Sequence, residues 1–482
     1  MRKLLVDVRN AITVLLLAAL GDAAALAQSP MVIIRNAVIM TMAEGQKTPI
    51  TGYLSVDTNG RILAVAAGEP PADLRATKLV DAQGDYMIPG FISAHSHIWQ
   101  TAYRGLAEDK TTPPWGRDRS KYDSRATPDD TYWFTLYGSL DHLQHGITTV
   151  FDFAKGGVGG ASAKGDNLAF DKAQFRGKAD SGIRFEHAFT PGGAPGNGPV
   201  PAPPMTFKEA RLRLKTFLDW VAAQPPSKSL RLMLSGAVAG DQPYGAAALM
   251  KEFHLGNETH FLEAPDNEGL QQASFGAMVS SGLMQPDLFF GHFIHTTDYI
   301  LEQTAKAGAG MSWQPLSNGR LASGVADIPK YLKMGIRVGM GVDGEASADL
   351  ADPFENMRKG LYAVRDKYED AAILSPYQVL YLHTMGSADV MLVKDKVGSL
   401  EPGKFADFLL INPARLGVAL EDPYANLVFV AGERDVDSVW IGGTMEVDHD
   451  KVLNHDFPKI QADVYGRVAA ENQAKPQSAP PE

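Results

Sequence analysis

The rhythm of apolar and polar positions changes twice along the chain. The runs MVIIRNAVIMTMA and TGYLSVDTNGRILAVAAG read as short strands, with a turn at Thr58-Asn59-Gly60. Beyond about Met87, short β-rich runs alternate with longer helical patterns. The β runs fall at residues 87–97, 146–153, 182–189, 230–236, 258–264, 287–295, 309–315 and 336–343. Helical periodicity lies between them, as at 129–145 and 207–224. Eight β runs in alternation with helices predict a (β/α)8 TIM barrel, with a doubly wound open sheet as the competing arrangement. Past residue 394 the short-strand texture returns in VGSLEPGKFADFLLINPA and DVDSVWIGGTMEVD. The chain is therefore expected to be α/β. A barrel at 87–394 is inserted in a small β-sandwich made from both chain ends, 28–86 and 395–464. Residues 465–482 are polar and Pro-rich, and their composition predicts a disordered tail.

The first residues follow a different pattern. Arg2, Lys3 and Arg9 precede the apolar run Ala11 to Leu20, and Ala25-Leu26-Ala27 offers a small-residue cleavage site before Gln28. This is the order of a secretory signal peptide over residues 1–27. The apolar run is too short to span a bilayer, which takes about 20 residues. The expectation is an exported protein, periplasmic or secreted, with no stable membrane span after signal removal.

Composition narrows the chemistry. The formal charge is −11 and no basic cluster stands out, which argues against nucleic acid as a partner. The chain has no cysteine, so disulfides and thiolate metal sites are excluded. Any metal must be held by His, Asp or Glu. The length suffices for a large core, and a homo-oligomer is compatible with it. Two Gly/Pro-rich stretches, 155–167 and 191–204, follow the second and third β runs, where barrel active-site loops occur. They are expected to govern access of a small-molecule substrate.

Reactive residues of a barrel sit at the C-terminal ends of its strands. Those ends carry an unusual share of the 12 histidines. The first β run ends in His95 and His97, separated by one serine; alternate residues of a strand point to one face. The fifth holds His260, with Glu263 three residues later. The sixth holds His292, with His295 beyond it. The eighth ends in Asp343-Gly344. Trp99, Gln100 and Trp115 follow the first run and are candidates to line a substrate pocket, as is Asn318 after the seventh. Tyr103 and Arg104 are weaker candidates.

All of these except Tyr103, Arg104 and Trp115 lie in PGFISAHSHIWQT, HFLE, GHFIH, PLSNGRL and GVDGEAS, in that order. The set resembles the amidohydrolase superfamily, in the group containing guanine deaminase, S-adenosylhomocysteine deaminase and the triazine hydrolases. The resemblance runs from about residue 32 to 447. It implies His95, His97, His260 and Asp343 as ligands to one divalent metal. It implies Glu263 as proton shuttle, and His292 as a group that contacts substrate or water. Two-metal members usually carry a carboxylated lysine at strand 4; here LRLMLSG has none and only Lys228 precedes it, which favours a single ion.

Three imidazoles and one carboxylate suit Zn²⁺, with Fe²⁺ or Mn²⁺ as alternatives. Such an ion lowers the pKa of bound water from about 15.7 to about 7. The implied function is hydrolysis of a carbon–nitrogen bond, in an amide or an amino-heterocycle, by attack of a metal-bound hydroxide. Asp343 would aim the water, and Glu263 would carry its proton to the leaving nitrogen. Hydrolytic dehalogenation uses the same apparatus. A catalytically inactive binding protein on the same scaffold would be expected to lose ligands or shuttle, and all are present. For the leader, N-terminal sequencing of protein from the native host should begin at or near Gln28; intact Met1 on cytosolic protein would reject export.

Overall fold

The computed structural model describes residues 31–156, 168–191, 205–236, 243–418 and 422–473. The leader and nearly all of the two Gly/Pro-rich loops lie outside the described residues.

All eight expected β runs supply barrel strands: Phe91–Ser96, Ile147–Phe153, Arg184–Phe189, Ser229–Ser235, Gly256–Phe261, Leu288–His292, Gly310–Trp313 and Arg337–Met340. Each pairs in parallel with the next. The ring closes where Ser96 bridges to Asp343. There the Asp343 amide donates to the His95 carbonyl at 2.9 Å. The Val342 amide donates to Ser93 Oγ at 3.0 Å. The helices between the strands begin at readable signals. Thr127 caps Pro128–Gln144 with Asp130 reciprocating, and Thr206 caps Phe207–Ala222 with Glu209 reciprocating.

The expected run at 87–97 divides into two strands. Tyr86–Pro89 joins a second sheet, while Phe91–Ser96 opens the barrel. Gly90 makes the passage between them. Its amide donates to the Asp407 carbonyl at 3.0 Å. A Cβ there would lie 2.1 Å from Thr148 Oγ1, so a side chain has no room.

The second β unit is one nine-stranded mixed sheet drawn from both chain ends. Tyr86–Pro89 from the first segment pairs antiparallel with Phe408–Ile411 from the second. Leu54, Val56, Met87, Phe408, Leu410 and Trp440 are buried together in it.

One expectation is corrected. Residues 465–473 are not a disordered tail but the end of a helix, Phe457–Gln473. Composition misleads here because the helix is held by contacts distant in sequence. Ile460 and Val464 are buried. Arg467 pairs with Asp129 and Asp130 at 2.7 and 2.6 Å. The Tyr103 hydroxyl donates to Glu471 Oε2 at 3.0 Å. Residues 474–482 lie outside the described residues. Among the described residues, no helix is long and apolar enough to cross a membrane.

Barrel-interior packing includes a carboxyl group without a hydrogen-bond partner. Ile92, Phe151, Ala188, Met233 and Phe289 form a buried apolar cluster. Glu186, two residues before Ala188 and so on the same strand face, is fully buried with neither carboxylate oxygen hydrogen-bonded. Burial raises its pKa to about 8, against the pull of Arg231 and Lys396. The folded state then holds a proton that the unfolded state releases near its ordinary value of 4.5. Stability from this group is complete below that value and is lost as pH rises towards 8, by at most about 1.4 kcal/mol per pH unit. Glu186→Gln should flatten this decline. Denaturant melts of both proteins at pH 5 and pH 8 check it, and equal slopes would show that Glu186 does not titrate in this window.

Candidate metal centre and active site

The strand ends deliver the expected side chains to one mouth. His95 lies in the first barrel strand, and His97 directly follows it. His260 lies in the fifth strand, His292 ends the sixth, and Asp343 follows the eighth. Leu262 (φ 57°), His292 (φ 68°) and Asp343 (φ 62°) adopt left-handed backbone. Such conformations are uncommon for residues other than glycine. Here they sharply redirect the chain where the strands give way to loops over the site.

The donor atoms crowd together. His97 Nε2 lies 3.1 Å from His260 Nε2. Asp343 Oδ1 lies 3.4 Å from His95 Nε2 and 3.5 Å from His97 Nε2. Ring-nitrogen and carboxylate atoms within 4.8 Å of one another form two overlapping sets: His95, His97 and Asp343; and His95, His260 and His292. His95 Nε2 is buried with no hydrogen-bond partner. His97 Nδ1 donates to the Phe153 carbonyl at 3.1 Å, which leaves its Nε2 a bare lone pair aimed at the other donor atoms. The edge of a tetrahedron of Zn–N bonds is about 3.3 Å, close to the observed separations. The residues therefore fit a divalent cation. Burial, then the charge of His95, pushes the His97 pKa down to about 4, and burial first puts His260 well below its ordinary value. Both stay in the neutral form, which is the form able to ligate a metal. His95 goes the other way: burial opposes its charge, but Glu258 and Asp343 outweigh that and raise it to about 10. A cation among the same atoms supplies the positive charge that a proton otherwise provides.

Glu263 stands beside the cluster. Thr112 Oγ1 donates to its Oε1 at 3.1 Å, and His292 Nδ1 lies 3.9 Å away. Burial and then the Asp343 charge raise its pKa to about 8. His292 is turned by Asn318, whose Nδ2 lies 2.7 Å from its Nδ1. With that amide donating, Nδ1 is the acceptor and Nε2 carries the ring proton, ready to donate. Burial keeps this ring neutral, with a pKa near 3.

The other candidates pack around the Asp343 loop. Gln100 is buried against Gly344, where a Cβ would meet its Oε1 at 2.2 Å. Trp115 Nε1 donates to the Ala346 carbonyl at 2.8 Å. Trp99 is buried edge-on against Tyr103, with Arg119 and Lys155 each 5.2 Å from its ring. Arg104 pairs with Glu345 and, at 2.5 Å, with Asp141. His295 is drawn off to the Ser323 carbonyl at 2.8 Å. Lys228 pairs with Glu446 at 2.6 Å, at the strand end remote from the mouth.

Sequence reasoning missed Glu258, Thr112, Ser347 and Glu345. Strand alternation signalled Glu258, which shares a face with His260. Ser347, four residues beyond Asp343, donates to its Oδ2 at 2.9 Å. Thr112 opens the helix Thr112–Asp123, distant in sequence, and had no local signal.

A model described as "Amidohydrolase family" matches residues 86–445. A 5-methylthioadenosine/S-adenosylhomocysteine deaminase of Desulforudis audaxviator is 28% identical over 436 residues, covering 88% of this chain and 95% of that protein. One from Pelotomaculum thermopropionicum is 26% identical over 468 residues, covering 91% and 98%. Among solved structures, a zinc-bound adenosine deaminase from Xanthomonas campestris superimposes with a TM-score of 0.78 at 21% identity, covering 92% of this chain and 99% of that one. An atrazine chlorohydrolase from Arthrobacter aurescens complexed with zinc gives 0.79 at 23%, covering 91% and 100%. At these identities the structures establish shared fold.

Metal analysis of the purified protein should give about one divalent ion per chain. His95→Ala, His97→Ala, His260→Ala and Asp343→Ala should each lose most of it. Two tightly held ions in the unaltered protein would overturn the mononuclear assignment.

Proposed function

Since this chain belongs to the amidohydrolase family and is a metal-dependent hydrolase of carbon–nitrogen bonds, we propose that it removes the amino group of a small N-heteroaromatic ring. Water adds at the ring carbon and ammonia leaves. The convergence of His95, His97, His260 and Asp343 beside a buried, raised-pKa Glu263 carries this reading. The deaminase names of the relatives support the choice of an amino-heterocycle over a simple amide. Zinc is the proposed ion, supported by the His-rich donor set and by zinc in structures of the same fold. The proposal includes export, supported by the leader pattern at residues 1–27.

When bound, the ion supplies a Lewis acid and a water of lowered pKa. The remaining work belongs to side chains. Asp343 accepts a hydrogen bond from the attacking water and aims it. Glu263 takes the proton of that water and delivers it to the leaving nitrogen. Its buried position and raised pKa suit both halves of that transfer, because a group that titrates near the working pH gives and takes protons with similar ease. His292, oriented by Asn318, donates from Nε2 to the oxygen or ring nitrogen on which charge develops.

The test is a turnover screen of the mature protein on amino-heterocycles, amides and halogenated rings. Ammonia, amine, carboxylate and halide are measured separately. Ammonia from an amino-heterocycle is expected; turnover confined to amides or halides would sink the proposal. Glu263→Gln should retain the ion and bind substrate while kcat falls about 10²-fold or more. A rate within a few-fold of the unaltered enzyme would make Glu263 structural, and loss of the ion would make it a ligand.

A further inference from the structure

Glu258 is not among the proposed ligands or acid/base groups, yet it is among the most enclosed charges in the barrel. It lies on the fifth strand, two residues before His260. Its side chain is fully buried, as is that of His95. Its Oε1 sits 3.1 Å from His95 Nδ1, and its Oε2 has no hydrogen-bond partner. The first and fifth strands stand opposite each other in an eight-strand ring, so this contact spans the barrel interior. The sixth strand makes room for it. A Cβ at Gly291 would lie 2.4 Å from Glu258 Oε1 and 3.2 Å from His95 Cε1. Three strands thus cooperate to place one carboxylate against one imidazole nitrogen.

We propose that Glu258 is a positioning residue for the metal centre: it locks the His95 ring with Nδ1–H towards itself and Nε2 bare towards the cation, and its charge strengthens the hold of the centre on a divalent ion. The inference rests on the reading of His95 as a ligand. An imidazole has two ring nitrogens, and the partner of one decides the state of the other. With Nδ1–H given to Glu258, the lone pair of Nε2 faces Asp343 Oδ1 at 3.4 Å. A carboxylate on the far side of a ligating imidazole also makes the ring a better donor, and loss of such a partner typically weakens metal affinity about 10–100-fold. Charge counting agrees. Asp343 and Glu258 bring two negative charges, which one divalent cation cancels.

As space-filling alone, this choice is costly. A buried carboxylate loses its hydration, and an apolar or amide side chain of similar size avoids that penalty. The unpartnered Oε2 makes the cost larger. A role on the other side of the imidazole ring explains why the charge is retained.

The experiment measures zinc affinity of metal-stripped protein by competition with a chromogenic chelator, with thermal melts of the same samples. Glu258→Gln keeps the size and an oxygen for Nδ1–H but removes the charge. It should weaken zinc binding about 10-fold, and Glu258→Ala, which also frees the ring, should weaken it further. Gly291→Ala, which drives a methyl group into Glu258 Oε1, should weaken binding too. In Glu258→Gln/Gly291→Ala the two effects should be less than additive, because they act on one contact. Zinc affinity of Glu258→Gln within two-fold of the unaltered protein overturns the inference, whatever the melting temperature does. If the unaltered protein binds no zinc, the metal reading falls, and this inference with it. If it binds zinc and Glu258→Gln matches it, only the inference falls.

Discussion

The seam between the first and eighth barrel strands is the contact on which the rest depends. The hydrogen bond from the Asp343 amide to the His95 carbonyl closes the ring of strands. The same bond brings the Asp343 carboxylate up to His95 and His97. Closing the barrel and assembling the centre are therefore one event. Gly341 shows how tight the seam is: a Cβ there would lie 2.6 Å from the His95 carbonyl oxygen. A side chain at that position would open the barrel and separate the ligands together.

Burial sets the electrostatics within that mouth. Deep in a closed barrel, neutral imidazoles are favoured, and His97, His260 and His292 all shift in that direction. The same burial pushes Glu263 up. Asp343 behaves oppositely and stays well below its usual value. Burial resists this, but the hydrogen bond and charge of His95 outweigh it. Two carboxylates in one pocket are thus separated into one that holds its charge and one poised to exchange a proton. This division is what a ligand and a shuttle require, and it arises from position alone.

Much of this was legible in the chain because the information is local. Eight β runs alternating with helical patterns gave the barrel, and histidines at run ends gave the centre. The H-x-H spacing works because alternate strand residues share a face. The illegible parts depend on residues distant in sequence. Gly90 splits one apolar run between two sheets, and its reason lies at Thr148. The polar helix after Phe457 holds through Tyr103, Arg125, Asp129 and Asp130, far back in the chain. Thr112 reaches Glu263 across 151 positions. Asn318, legible only as a pocket candidate, reaches the cluster through His292.

What keeps the crowded donor atoms in place is the scaffold around Asp343. The four-residue helix Glu345–Ala348 follows it at once. Ser347 donates to Asp343 Oδ2, and Trp115 Nε1 holds the Ala346 carbonyl. Glu345 is fully buried and accepts from Thr101 Oγ1 at 2.5 Å and from Arg104. Arg104 continues to Asp141 on the helix Pro128–Gln144. The loop is therefore tied to the turn after the first strand, to the helix that carries Trp115, and to the helix before the second strand. A small zinc domain folds only around its ion, because it has little else to order its ligands. Here hydrogen bonds and ion pairs that do not include the ion fix the ligand loop. The protein's own contacts thus hold the Asp343 carboxylate towards His95 and His97.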